Sequence, residues 1–171
     1  MPTNSQTRRK LDEAAFFLKK VLEFLVKGGP SAPPELEYFA SAYISAARAV
    51  TWIMKSEFGS RPEWQVWWDQ TIASLTEDES QVFRRIRDLR NDDLKTTPIR
   101  PEFGAFAVPV IGRSEPMKVI DDPVWGRIAV PLTKRTIWVL HEGGKELHAT
   151  FSRFLTLLNR LVEECEQKFA E

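Results

Sequence analysis

Cysteine is nearly absent. Cys165 is the only one in 171 residues, which excludes an internal disulfide and any multi-cysteine metal site. Histidine is almost as scarce: His141 and His148 lie seven positions apart, with Glu142 and Glu146 between them. That spacing matches no helical ligand pattern, so no metal is expected. There is no excess of charge, because 24 Lys and Arg balance 24 Asp and Glu. Any nucleic-acid binding must then come from a local patch rather than a cationic surface. No apolar run approaches the roughly 18 residues of a membrane span, so no membrane association is expected. The cations Arg8, Arg9 and Lys10 precede an apolar stretch broken by Asp12, Glu13, Lys19 and Lys20, which is not a signal-peptide pattern. A cytoplasmic location is the expectation. No glycine-rich phosphate loop follows a strand, Gly143-Gly144 being a turn signal, and no cofactor is expected.

What is present is helical periodicity. Leu11, Ala14, Ala15, Leu18, Val21, Leu22 and Leu25 recur at helical spacing over Thr7 to Lys27, up to the stop Gly28-Gly29-Pro30. A second helix opens at Pro33-Pro34 and runs to Gly59. Its middle is rich in alanine and serine, which let another backbone approach closely, so it belongs at the centre of a bundle. Glu63 to Leu75 forms a short third helix with Trp64, Trp67 and Trp68. These could stack bases, but covering the bundle's end is the plainer use of large indoles. Thr76-Glu77-Asp78-Glu79 is a capping box that opens a fourth helix, and Pro98 requires that helix to have ended by Thr97. The last helix, Leu147 to Phe169, has the cleanest amphipathic stripe. Cys165 lies on that stripe and acts there as a small hydrophobe. Its acidic end (Glu163, Glu164, Glu166, Glu171) opposes the helix dipole, so it should fray or meet cations from elsewhere.

Residues 99–141 differ. Prolines divide them into short strand-like runs: Phe103 to Ile111, Met117 to Ile120, Gly126 to Pro131 and Thr136 to Leu140. Pro109 demotes the first run to an edge strand or loop, and Asp121-Asp122-Pro123 reads as a turn. The expectation is one domain over residues 1–171, mainly α, a bundle of about five helices. Residues 99–141 would form a small antiparallel β insertion before the last helix.

The sequence departs furthest from plain packing at residues 83–98. Val82, Phe83, Ile86 and Leu89 form an apolar stripe, and the next positions in step are Arg90 and Asp93. Arg84, Arg87 and Asp88 share a face, and Arg87 is also in step with Arg90. Arginines so clustered can bind phosphate bidentately. The alternative is a solvated face whose arginines pair with Asp88, Asp92 and Asp93.

Arg87-Asp88-Leu89-Arg90-Asn91 at the end of an apolar helix resembles the signature of HEPN (higher eukaryotes and prokaryotes nucleotide-binding) domains. In that signature an arginine is followed by a polar residue and, after four to six intervening residues, by a histidine. The segment Leu36 to Glu57, aromatic-rich and then alanine-rich with Arg48, also looks like the long helix of several HEPN branches. The resemblance implies an all-α bundle, usually a homodimer with its motifs facing across the interface. Active members are metal-independent ribonucleases: the arginine steadies the scissile phosphate and the histidine moves the 2′-hydroxyl proton. Arg90 matches the motif arginine and Asn91 the polar residue. The histidine is missing, its positions being Lys95, Thr96 and Thr97. Lysine ionises near 10.4 in the absence of perturbation, about three units too high for a base at neutral pH.

The expectation is therefore a non-catalytic, dimeric HEPN-like domain. It would bind RNA, nucleotide or a protein partner through a face carrying Arg84, Arg87, Arg90, Asn91 and Lys95. One alternative is a metal-independent endoribonuclease of the toxin or defence type. It would use Arg90, Asn91 and Lys95, or recruit His141 or His148 by folding. The other is a dimeric scaffold with no nucleic-acid role.

Overall fold

The computed structural model describes residues 5–27, 34–95, 102–107, 117–122, 126–131, 136–142 and 145–169, with side chains described over 5–24, 34–91 and 146–169. The stops at Gly28-Gly29-Pro30 and Pro98, Pro109, and the turn Gly143-Gly144 lie outside the described residues, as does Pro123 of the expected turn, whereas Asp121 and Asp122 are strand residues paired with Arg127 and Gly126.

Five helices make a mainly α bundle: α1 (Gln6–Lys27), α2 (Pro34–Phe58), α3 (Trp64–Ala73), α4 (Glu77–Lys95) and α5 (Leu147–Phe169). Helix α2 packs against α1, α4 and α5, which makes it the central element. Its alanines explain why. Ala40, Ala46 and Ala47 are buried among Leu36, Tyr43, Val50 and Met54, and their short side chains admit the backbones of neighbours at close range. On α5 the apolar stripe buries Phe151, Phe154, Leu157, Leu158, Leu161, Val162 and Cys165. The Tyr43 hydroxyl donates to the Phe151 carbonyl at 2.6 Å, and the two rings lie 4.4 Å apart. Burial holds the phenol well above its ordinary pKa, so it stays a donor.

The three tryptophans cover an end of the bundle. Trp64 and Trp67 are buried, the Trp64 and Trp68 rings stack 5.8 Å apart, and Phe169 of α5 packs on Trp64 and Trp67 at 5.8 and 5.4 Å. Before them, α2 ends at Gly59, where a Cβ would lie 2.2 Å from the Lys55 carbonyl oxygen. Any side chain there collides with backbone.

Helix starts are satisfied in two ways. At α4 the Thr76 amide donates to Glu79 at 2.9 Å, and the Glu79 amide donates to the Thr76 hydroxyl at 3.3 Å. At α1 the acceptor comes from another helix. The Glu57 carboxylate on α2 accepts from the Gln6 and Thr7 amides at 3.2 and 2.9 Å and from the Thr7 hydroxyl at 2.7 Å. Replacing Glu57 with alanine orphans these donors and is expected to cost about 1–2 kcal/mol. Circular dichroism on heating should show this as a Tm lower by roughly 2–8 °C for a domain of this size.

The acidic end of α5 is helical to Phe169, and there Glu166 meets a cation from α1: it pairs with Arg8 and accepts from the Ser5 hydroxyl at 2.8 Å. Lys168 of the same turn lies 3.3 Å from Glu63.

Between α4 and α5 the backbone forms β1 (Glu102–Ala107), β2 (Met117–Asp122), β3 (Gly126–Pro131), β4 (Thr136–Glu142) and β5 (Lys145–Glu146). One sheet has the order β1-β4-β5, with Glu102 opposite His141 and Ala107 opposite Thr136. The other pairs β2 with β3, Met117 opposite Pro131. Of the apolar run from Phe103 to Ile111, Phe103 to Ala107 lie in β1, and residues 108–111 lie outside the described residues.

Candidate functional site

Helix α2 turns two contrasting faces outward and inward. Its inner face is Leu36, Ala40, Tyr43, Ala47, Val50 and Met54. Arg48 and Ala49 each lie three or four residues from both Ser45 and Trp52, which places the four along one surface of the helix. Helix α4 approaches that surface with Arg90 and Asn91, one turn beyond the buried Ile86 and Leu89. These six residues line a cleft of about 340 Å³.

Arg48 is held rather than free to sweep. Its guanidinium lies 5.5 Å over the Phe83 ring, and Phe83 meets Phe154 of the core edge-on at 5.6 Å. The Arg48 Nε is buried and has no hydrogen-bond partner. Burial, then the charges of Arg90 and Arg87, push the guanidinium below its ordinary pKa. It remains charged, since arginine starts far above neutrality. Among the described residues the cleft lining contains no carboxylate, and neither Arg48 nor Arg90 is ion-paired. Two cations thus face one polar space, with nothing anionic between them among the described residues.

The expected face does not stay together. Arg84 turns back on α4, donating to Glu77 at 2.9 Å and to the Ser80 carbonyl at 3.2 Å. Arg87 donates to Asp88 at 3.1 Å. Such exposed pairs contribute little to stability, but they partly neutralise these two arginines, neither of which lines the cleft. Of the expected residues, Arg90 and Asn91 share the cleft. Lys95 is the last residue of α4, and its side chain is outside the described ones.

Folding supplies four members outside the expected face, Ser45, Arg48, Ala49 and Trp52, of which Arg48 and Trp52 carry the chemistry. Their signal was there: a lone arginine in an alanine-rich helix, with a tryptophan one turn later. A bundle-centre helix gave no reason to look for an outward face.

The histidines do not join this site. His148 lies in the first turn of α5 and does not line the cleft; the side chain of His141, on β4, is outside the described residues. The Cys165 thiol is buried, and burial, with Glu166 and Glu57 nearby, pushes its pKa up to about 12. It is a packing group, not a nucleophile. Among the described residues no three His, Cys, Asp or Glu side chains gather as metal ligands, and no helix is long and apolar enough to cross a membrane.

Comparison with protein-family models, with curated proteins and with solved structures finds no match to this chain.

Proposed function

We propose that this chain is a HEPN-like domain that binds RNA or nucleotide phosphate in the cleft of Arg48, Arg90 and Asn91 and does not cleave it. The observation that supports the reading is the convergence of two guanidiniums on a cleft in which, among the described residues, they have no ion-pair partner and no carboxylate lines the wall. Like charges so placed repel, and a half-buried guanidinium with an orphaned Nε has given up hydration for no protein acceptor. A phosphate offsets both costs. It accepts from both guanidiniums, and the Asn91 amide and Ser45 hydroxyl add neutral donors.

The same lining argues against catalysis. Ser45, Arg48, Ala49, Trp52, Arg90 and Asn91 include no group that titrates near neutral pH. Strand cleavage through the 2′-hydroxyl needs such a group as base, and Lys95, Thr96 and Thr97 stand where the resembling family has histidine. Self-association as a homodimer belongs to the proposal through the same resemblance, and sedimentation of the full chain tests it. The scaffold alternative draws support from Arg84 and Arg87, whose charges are already met by Glu77 and Asp88.

Replacing Arg90 with alanine is expected to weaken binding of a short single-stranded RNA about tenfold or more, the size of a charge-assisted hydrogen-bonding group. It should also flatten the dependence of log Kd on log salt by about 0.7, one phosphate contact's worth on a single strand. Fluorescence anisotropy reads both. Unchanged affinity in that variant contradicts the assignment.

A further inference from the structure

Trp52 is the anomaly that the phosphate reading leaves over. Its side chain is 72% exposed on the most deeply packed helix of the bundle. Elsewhere in the fold the indoles of Trp64, Trp67 and Trp68 pack against one another or against Phe169. Among the described residues Trp52 makes no ring contact and sits over no cation. An indole left in water forgoes a large burial gain, and this one stands at the wall of the cationic cleft.

We infer that the cleft takes one nucleotide unit of single-stranded RNA, its phosphate between Arg48 and Arg90 and an adjoining unpaired base stacked on the Trp52 indole. This rests on the phosphate-binding reading above and adds to it the class of ligand and the residue that selects it.

Three features lead there. Arg48 and Trp52 are four residues apart on α2, so their Cβ atoms lie about 5–6 Å from each other along one helix face. A phosphate held by the first therefore places its neighbouring base within reach of the second. Ala49 between them is too small to interfere, and Ser45 leaves room on the turn before. Stacking also suits the charge pattern. The face of a base offers no formal charge, so the part of the ligand beyond the arginines needs an aromatic surface rather than another cation.

The geometry disfavours the other phosphate ligands. Inorganic phosphate satisfies the arginines but leaves the indole in water. A double-stranded A-form helix presents phosphates, yet its bases are stacked on each other and unavailable to a side chain. A nucleotide unit with an unpaired base engages both parts of the site.

The test titrates a labelled short single-stranded RNA with the full chain and with Trp52→Ala, Trp52→Phe and Arg90→Ala, at several salt concentrations. Trp52→Ala is expected to weaken binding about tenfold or more, while the salt slope stays as in the unmodified chain. Trp52→Phe should regain most of the loss, because a phenyl face still stacks. The fully paired duplex of the same sequence should bind more weakly than the single strand. Trp52 is exposed, so loss of fold is not expected, and circular dichroism verifies that.

The failures are separable. If Arg90→Ala loses affinity and Trp52→Ala does not, the stacking inference falls and the phosphate reading stands. If neither variant changes binding, or the unmodified chain binds no RNA, both fall. If Trp52→Ala loses affinity together with a shift from dimer to monomer in sedimentation, the indole covers a second copy of the chain, and the stacking assignment is overturned.

Discussion

Replacing Arg48 with methionine is expected to raise the thermal stability of the chain while weakening its affinity for RNA by about one to two orders of magnitude. The two effects have one cause. In the folded protein the guanidinium is half buried, its Nε has no acceptor, and Arg90 and Arg87 repel it. Methionine keeps a flexible apolar stem of similar length and can still lie against Phe83. It removes the desolvated charge, which is the favourable direction for an uncompensated buried ion. Loss of the cation–π contact, about 0.5–1 kcal/mol at a partly exposed site, opposes that gain. A net stabilisation on the order of 1 kcal/mol remains, or a Tm higher by about 2–4 °C. The loss of binding should be the largest of any single substitution in the cleft, about one to two orders of magnitude. Arg48 is fixed on the Phe83 ring before the ligand arrives, so little side-chain freedom is lost on binding. Differential scanning calorimetry and anisotropy on the same sample measure the pair of effects. A variant that is both less stable and fully able to bind RNA would show that Arg48 is a structural cation.

Phe151→Ala is expected to be the most damaging substitution in the core, costing about 3–5 kcal/mol. Phe151 is fully buried at the α2–α5 contact, where it touches the Tyr43 ring and its carbonyl accepts the Tyr43 hydroxyl. Removing the ring leaves a cavity beside a hydroxyl whose position it helped to fix. Because α2 is the helix that carries Arg48 and Trp52, the damage reaches the cleft through the bundle's central element. Denaturant unfolding should show a much lower midpoint with a similar slope, the sign of lost stability rather than a changed unfolded state. Tyr43→Phe deletes the hydrogen bond alone and should cost only about 1 kcal/mol. Near-equal effects of the two substitutions would contradict the packing described here.

The bundle was legible because its helices announce themselves twice, by apolar period and by their ends. Thr76 and Glu79 predict a capping box, and the reciprocal hydrogen bonds form. The stripe of α5 reads Leu147, Phe151, Phe154, Leu155, Leu158, Leu161, Val162, Cys165 and Phe169; all are buried except Leu155, which is partly buried, and Leu157 is buried in addition. Contacts between distant parts of the chain were not legible. Nothing local to Glu57 says that it closes the start of α1, since the two are about fifty positions apart. The candidate site divides along the same line. Arg90 and Asn91 were found because they interrupt a stripe on their own helix. Arg84 and Arg87 were grouped with them by spacing, although short-range carboxylates, Glu77 and Asp88, take up both. Arg48 and Trp52 belong to the cleft only because α2 and α4 pack together, and periodicity within one helix carries no record of its neighbour.

The most direct test of phosphate binding without cleavage is to incubate a labelled single-stranded RNA with the full chain and with the Arg48→Ala, Arg90→Ala double variant, in chelator. Affinity and strand integrity are then read from the same tubes. Saturable binding by the unmodified chain, lost in the double variant, with the RNA recovered intact from both, is the predicted result. RNA cut by the unmodified chain and spared by the variant, or bound equally by the two, is the result that contradicts it.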